Sequence, residues 1–285
     1  MATILNGRTV STSLLEDLKQ DVEQLNAQGI RPKLVVIVVG ENPASAVYVR
    51  HKQKACEKVG MISEKHDFPD TMSQKELLAH IEKLNQDPSV NGMIVQLPLP
   101  EHIDGDEVIK AIDPSKDVDG FHAVNMGKTM IGRNFEDLPP CTPKGITKIL
   151  EYYDIDPSGM DAVVIGRSNI VGKPISMMLV NRNATVTTCH SRTKDLLAHT
   201  KKADLLVVAI GRPKFVTADM VKEGAVIIDV GINRLPDGSL CGDVDYDEVE
   251  KIASAITPVP KGVGPMTVAC LLENTVLATK AQHKL

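Results

Sequence analysis

The stretch Asp161-Ala-Val-Val-Ile-Gly166-Arg-Ser-Asn-Ile-Val-Gly172-Lys-Pro174 decides the fold of this chain. A short apolar run ends at Gly166, a glycine-bearing loop follows, and Pro174 stands where a helix begins. In an α/β protein that order means a strand whose C-terminal end delivers the backbone to a helix N-terminus. Free N–H groups and the helix dipole there favour a phosphate. The match to G-x-G-x-x-G is incomplete, because Ser168 holds the middle glycine's place. Taken alone, the stretch fits either a nucleotide site or a plain strand-to-helix turn that needs glycine.

Strand and helix patterns alternate on both sides of it. Downstream, Ala184–Cys189, Leu205–Ile210, Ala225–Val230 and Ser254–Thr257 read as strands, and one amphipathic helix is expected from Pro265 onwards. Upstream, Leu34–Val39 and Met93–Leu97 are continuous aliphatic runs, the mark of strands covered on both faces. Helices are expected over Ser13–Ala27, from an Asn42 cap and Pro43 to Gly60, over Ser73–Gln86, and from Thr142-Pro143 to about Tyr153. The polar, proline-bearing segment Arg133–Pro140 is the expected linker, giving two α/β domains around a cleft.

Composition excludes several classes. Of 285 residues 42% are hydrophobic, enough for real cores, but only 3% are aromatic, so stacking surfaces for nucleic acid are scarce. A net charge of -5 leaves no basic footprint for DNA or RNA. No apolar run is long enough to span a membrane, and the first residues lack the pattern of a signal peptide. Cys56, Cys141, Cys189, Cys241 and Cys270 are scattered and odd in number, as in reduced cytoplasmic thiols, with no zinc-type spacing and no metal expected.

Nicotinamide-binding folds usually end the second strand in Asp or Glu, which bonds the adenosine ribose 2′-OH and repels a 2′-phosphate. Here that strand runs into Cys189-His190-Ser191-Arg192-Thr193, with no acid before Asp195. Ser191, Arg192 and Arg167 can donate to a phosphate, which favours NADP over NAD; the alternative is that they are ordinary loop residues. Ile232, just past the strand Ala225–Val230, is either core or an apolar contact for a nicotinamide ring. In the first half, Tyr48 and Lys52 share a helix face. A lysine beside an aromatic in a cleft can have its pKa lowered by desolvation and act as acid or base, or it can be one charge of a basic surface helix. Gln96 ends a buried strand, where parallel sheets place ligand contacts, and Asp119-Gly120 is by itself only a turn.

Together these segments resemble one family, the bifunctional methylenetetrahydrofolate dehydrogenase/methenyltetrahydrofolate cyclohydrolases. The resemblance covers essentially the whole chain. It is carried by Tyr48-Val-Arg-His-Lys52, Val95-Gln-Leu-Pro-Leu-Pro100, Lys116-Asp-Val-Asp-Gly-Phe-His122, Pro140-Cys-Thr-Pro143, the Gly166–Gly172 loop, Asp229-Val-Gly-Ile-Asn233, Gly242-Asp-Val-Asp245 and Thr257-Pro-Val-Pro-Lys-Gly-Val-Gly-Pro-Met-Thr267. It implies oxidation of 5,10-methylenetetrahydrofolate by NADP, followed by hydrolysis of the methenyl product to 10-formyltetrahydrofolate. Lys52 matches the catalytic lysine, Gln96 the residue that tunes it, Asp119 the carboxylate on the pterin's amino edge, and Tyr48 the aromatic that stacks on folate. Pro260 and Gly264 match further substrate contacts, and Gly166, Arg167, Ser168, Ser191, Arg192 and Ile232 match the cofactor site.

The resemblance further implies an α/β fold with two domains and a cleft between them. The first is an N-terminal α/β catalytic domain over 1–139, completed by the C-terminal helix 265–285; the second is a Rossmann-like NADP-binding domain over 140–264. It also implies a cytoplasmic homodimer, with neither nucleic acid nor membrane as partner. A monofunctional dehydrogenase is the alternative; a shikimate-type dehydrogenase leaves the Gln-Leu-Pro-Leu-Pro and Pro-Val-Pro segments without a purpose. One position departs from the family's usual pattern. Lys261 replaces a glycine, and a positive φ there would strain a lysine by about 1 kcal/mol or more.

Overall fold

The computed structural model describes residues 2–41 and 43–285, with the backbone alone for Pro43, Ala44, Ser45 and Val47. The cap expected at Asn42 lies outside the described residues. In chain order the strands are β1 (Thr3–Ile4), β2 (Lys33–Val39), β3 (Ile62–Phe68), β4 (Gly92–Val95), β5 (Asp161–Ile165), β6 (Thr185–Cys189), β7 (Leu205–Val208), β8 (Val226–Asp229), β9 (Asn233–Arg234), β10 (Leu240–Cys241) and β11 (Ala255–Ile256). The chain divides into two units, one of Met1–Thr12, Thr129–Phe135 and Thr142–Thr267, the other of Ser13–Lys128, Glu136–Cys141 and Val268–Leu285. Residues 2–12, expected with the first domain, cluster instead with the second half, because β1 pairs with β11 through the Thr3–Ala255 and Ile4–Ile256 register.

The first unit holds a parallel sheet in the order β1-β11-β8-β7-β5-β6. Its inner strands are buried on both faces: β7 and β8 are buried throughout, and Val163, Ile165, Leu206, Val208, Ile227 and Ile256 belong to one core cluster, while the edge strands β1 and β6 stay partly exposed. The chain leaves β5 for β6 on one side and returns to β7 on the other, so the strand order reverses at the end of β5. In open parallel sheets that reversal opens a crevice for ligands beyond the carboxyl ends of the strands. It lies at Gly166.

The second unit is built on a parallel sheet, β3-β2-β4. The aliphatic run of β2 sits at its centre, and Val35, Ile37, Leu77, Ile81, Met93 and Val95 pack in one cluster. β3 is not foreseen from the sequence, since Ile62-Ser-Glu-Lys-His-Asp-Phe68 shows no aliphatic run. As an edge strand it carries charges instead, with Glu64 paired to Lys33 of the neighbouring β2 at 2.9 Å and Lys65 to Asp67 at 2.6 Å. The C-terminal helix, Val263–Gln282, is less amphipathic than expected: Cys270, Leu271, Leu272 and Val276 are buried, and so are Asn274, Thr275 and Thr279. Its hydroxyls bond back into the helix, Thr275 to the Leu271 carbonyl and Thr279 to the Thr275 carbonyl. Asn274 Nδ2 donates to the Val118 and Pro139 carbonyls at 2.9 and 3.0 Å.

One buried cation holds the segment that carries Asp119. Lys116, only 7% exposed, donates from Nζ to the carbonyls of Leu84, Asn85 and Asp87 at 2.9, 2.7 and 2.7 Å. These carbonyls cluster at the C-terminal end of the helix Gln74–Gln86 and its cap residue Asp87, where the helix dipole favours positive charge; Leu84 and Asp87 accept backbone N–H groups as well. Lys116 thereby ties the chain just ahead of Asp119 to that helix.

Candidate active site

In the unit built on β2, three of the predicted polar residues come from three different elements. Lys52 lies on the helix Pro43–Val59, which follows β2; Gln96 is the first residue past β4; Asp119 ends an extended segment that bridges alongside β4 through Asp117 and Met93. Gln96 N donates to the Ile37 carbonyl at 2.9 Å, so its backbone continues the sheet while its side chain is released. Lys52, 8% exposed, donates from Nζ to Gln96 Oε1 at 3.1 Å, and Gln96 Nε2 donates to the Leu97 carbonyl at 2.8 Å. The amide is thereby oriented with its oxygen toward the lysine. Tyr48, one helical turn before Lys52, is 40% exposed and presents a ring that a ligand can cover.

Asp119 keeps some surface, yet its carboxyl is surrounded by protein. Burial pushes it up to about 6, the Lys52 ammonium opposes the rise, and the Asp117 carboxylate adds to it. Asp117, 2% exposed, is the residue that sequence reasoning overlooked. Its carboxylate accepts the N–H groups of Gly120, Phe121 and His122 at 3.1, 3.3 and 2.8 Å, and Asn125 Nδ2 at 2.9 Å. It therefore shapes the turn on which Asp119 sits. The signal was available in Lys116-Asp-Val-Asp-Gly120: alternation along an extended segment sends Asp117 and Asp119 in different directions from Val118.

In the other unit, Gly166 has φ 127°, and a β-carbon on it would collide with the Ala209 carbonyl oxygen. Gly172 is likewise closed in by the backbone of Gly166 and Arg167. Both glycines are thus required by close packing of strand, loop and helix. Ser168 does more than replace a glycine: its Oγ accepts the N–H groups of Val171 and Gly172 at 3.2 and 3.3 Å, satisfying donors at the start of the helix Gly172–Val180.

The region past β6 fits a 2′-phosphate. Ser191 and Arg192 are exposed, as is Arg167, and neither guanidinium makes a hydrogen bond or ion pair among the described residues. The backbone under them is held by His190 N donating to Thr193 Oγ1 at 2.8 Å and Arg192 N donating to His190 Nδ1 at 3.1 Å. The next acid in sequence, Asp195, caps its own helix, accepting the Ala198 N–H at 3.2 Å. Between Cys189 and Asp195 the chain offers no carboxylate to hold a ribose 2′-OH or repel a phosphate.

Two buried carboxylates order the loops around Ile232, itself 45% exposed. Asp243 accepts the Ile210, Gly211 and Arg212 N–H groups at 2.7, 2.9 and 2.8 Å and Asn233 Nδ2 at 2.9 Å. Asp229 accepts those of Gly231, Asp243 and Val244, each at 2.9 Å, while burial pushes its carboxyl up to about 6. The Gly242-Asp-Val-Asp245 motif therefore builds the loops past β7 and β8. Gly264, in the first turn of the helix Val263–Gln282, adjoins them, with Ile232 Cδ1 3.3 Å from where a β-carbon would lie; Pro260 is exposed on the loop before that helix.

The chain matches known proteins along its whole length. Residues 5–119 match the tetrahydrofolate dehydrogenase/cyclohydrolase catalytic domain, and residues 140–283 the NAD(P)-binding domain of the same family. It is 55% identical over 282 residues to the bifunctional protein FolD of Enterococcus faecalis, covering 99% of this chain and 100% of that one. Among solved structures it is similar to the bifunctional enzyme FolD, a methylenetetrahydrofolate dehydrogenase/cyclohydrolase, from Campylobacter jejuni, with 51% identity, full coverage of both chains and a TM-score of 0.97. A Trypanosoma brucei methylenetetrahydrofolate dehydrogenase-cyclohydrolase, solved with NADP cofactor and inhibitor, is 36% identical with a TM-score of 0.95, over 100% of this chain and 99% of that one. With both halves of the family's architecture present in order, the chain belongs to the tetrahydrofolate dehydrogenase/cyclohydrolase family.

Proposed function

We propose that the chain oxidises 5,10-methylenetetrahydrofolate to the 5,10-methenyl cation, with NADP accepting the hydride, and then hydrolyses that cation to 10-formyltetrahydrofolate. The observation that carries the second step is the Lys52–Gln96 hydrogen bond on a lysine that is almost wholly buried. A methenyl cation is already electrophilic, so hydrolysis asks only for a placed water and a group that moves its proton. Lys52 Nζ is that group, and Gln96 Oε1 holds it in position. Asp119 accepts hydrogen bonds from the pterin's amino edge, Tyr48 covers the folate ring, and Pro260 and Gly264 complete the substrate contacts. On the cofactor, Arg167, Ser191 and Arg192 take the 2′-phosphate, Gly166 and Ser168 shape the turn beside the pyrophosphate, and Ile232 meets the nicotinamide. The catalytic roles and that of Tyr48 belong to a domain over residues 1–139 with 265–285, and the cofactor roles to one over 140–264, within which Pro260 and Gly264 also fall. A monofunctional dehydrogenase is the alternative; the intact set of Lys52, Gln96 and Asp119 speaks against it, and the dehydrogenase site shares those residues.

One assay tests the reading. With methylenetetrahydrofolate and NADP, reduction of the cofactor is expected first, then decay of the methenyl absorbance, with NAD in parallel giving a much slower first step. A methenyl signal that accumulates and decays no faster than without enzyme would leave only the monofunctional reading.

We also propose that the chain acts as a cytoplasmic homodimer. Met130 and Ile131, each 67% exposed, and Phe135, 50% exposed, leave an apolar surface on the segment Thr129–Phe135, of the kind association covers. The five cysteines form no disulfide among the described residues, as suits a reducing compartment. Sedimentation equilibrium is expected to give twice the chain mass of 30.9 kDa; a single-chain mass at assay concentration would contradict the dimer.

A further inference from the structure

Lys261 stands in the loop between β11 and the helix Val263–Gln282, with a backbone φ of 87°. Residues with a β-carbon that enter the left-handed region settle at φ of about 50–70°, and only glycine ranges freely beyond it. The loop around Lys261 is pinned. Its carbonyl accepts the Arg8 N–H at 3.1 Å, and the neighbouring Gly262 has no space for a β-carbon, which would lie 2.9 Å from Thr257 Cβ. A lysine side chain is therefore carried here at a conformational cost. Lys261 is exposed, and its ammonium makes no hydrogen bond or ion pair among the described residues. Lys214, also at positive φ, differs in that its ammonium pairs with Asp245 at 3.2 Å.

A free ammonium held on a rigid loop calls for an anion from outside, and the proposed reaction brings two: the cofactor's phosphates and the carboxylates of the folate's glutamyl chain. Strand order separates them. The turn that faces the phosphates follows β5, whereas Lys261 follows β11, with β7 and β8 between. Three inter-strand steps amount to roughly 14 Å, too far for a lysine to serve the pyrophosphate. Toward the nicotinamide end the loop is close, since Gly264 adjoins Ile232. Hydride transfer requires the folate's methylene carbon to come against that ring. The aminobenzoyl-glutamyl chain runs outward from that carbon, and each further γ-linked glutamate adds a carboxylate.

We infer that Lys261 is a specificity residue for the polyglutamyl tail of the substrate, pairing its ammonium with the tail carboxylates. This rests on the folate reading of the function.

The test compares KM for mono- and pentaglutamyl 5,10-methylenetetrahydrofolate, and for NADP, in the native chain and in Lys261→Gly, Lys261→Gln and Lys261→Arg. Lys261→Gln retains the β-carbon at the strained position and removes only the charge. In the Gly and Gln variants the ratio of pentaglutamyl to monoglutamyl KM is expected to rise by about threefold, the scale of one exposed ion pair. Lys261→Arg is expected to keep the native ratio, and raising salt to narrow the difference between native and Gln forms. An unmoved ratio in both Gly and Gln variants overturns the proposal, as does a rise in the NADP KM in its place. A native chain that oxidises neither folate defeats the functional reading and this inference together; native activity with an unmoved ratio defeats Lys261's role alone.

Discussion

Lys52→Met is expected to lower the conversion of methenyl- to 10-formyltetrahydrofolate by a factor on the order of 10² to 10⁴, the usual worth of a placed acid–base group. Methionine keeps the length and apolar stem of the lysine, so the helix Pro43–Val59 retains its packing and only the nitrogen is lost. Gln96 Oε1 then loses the Nζ donor at 3.1 Å. The hydride step, which needs no proton moved by Lys52, is expected to fall by less, so that methenyl product accumulates during NADP reduction. Stopped-flow absorbance on both steps reads the split. Hydrolysis at the native rate in the variant would remove Lys52 from the mechanism.

Asp119→Asn is expected to weaken folate binding by about 10- to 100-fold, because hydrogen bonds to a charged acceptor contribute about 1.5–3 kcal/mol and an amide cannot replace both carboxylate oxygens. The native carboxyl, at about 6, adds a pH signature. Bound pterin donors favour the ionised form, so native affinity is expected to weaken as pH falls below about 6, while the variant lacks that dependence. Stability moves the other way. The folded-state pKa is raised above its ordinary value of about 4. The group's contribution is therefore greatest below the unfolded value and is lost as pH rises through the folded one. Asp229, also raised to about 6, acts in the same window. Denaturation from pH 4 to 7 is expected to show a shallower decline in Asp119→Asn than in the native chain. Titration calorimetry with folate at pH 5 and 7 checks the binding side, where a pH-independent native affinity would contradict the assignment.

Much of this was legible in the residues, for identifiable reasons. Leu34–Val39 and Ala162–Ile165 announce buried parallel strands because a strand covered on both faces has no polar side to show. The missing acid past Cys189 points to NADP because charge repulsion is a property of residue type. β3 was not legible, since an edge strand needs charges and so loses the aliphatic signature. Asp117 was hidden by a more conspicuous neighbour, and Asp243 by having no chemistry of its own: each orders backbone, and backbone partners cannot be read from a side chain's identity.

The sequence by itself determined the family, the parallel α/β character and the choice of phosphate-bearing cofactor, all of which depend on residue type and local spacing. The tertiary structure alone decided that Lys52 bonds Gln96 across 44 residues of chain, that Asp119 rests on a turn built by Asp117 and anchored by Lys116, and that Ser168 caps the helix past Gly166. Only it placed β1 beside β11 and gave Lys261 its φ of 87°. Distance, burial and dihedral strain arise when distant segments pack, and no local pattern carries them.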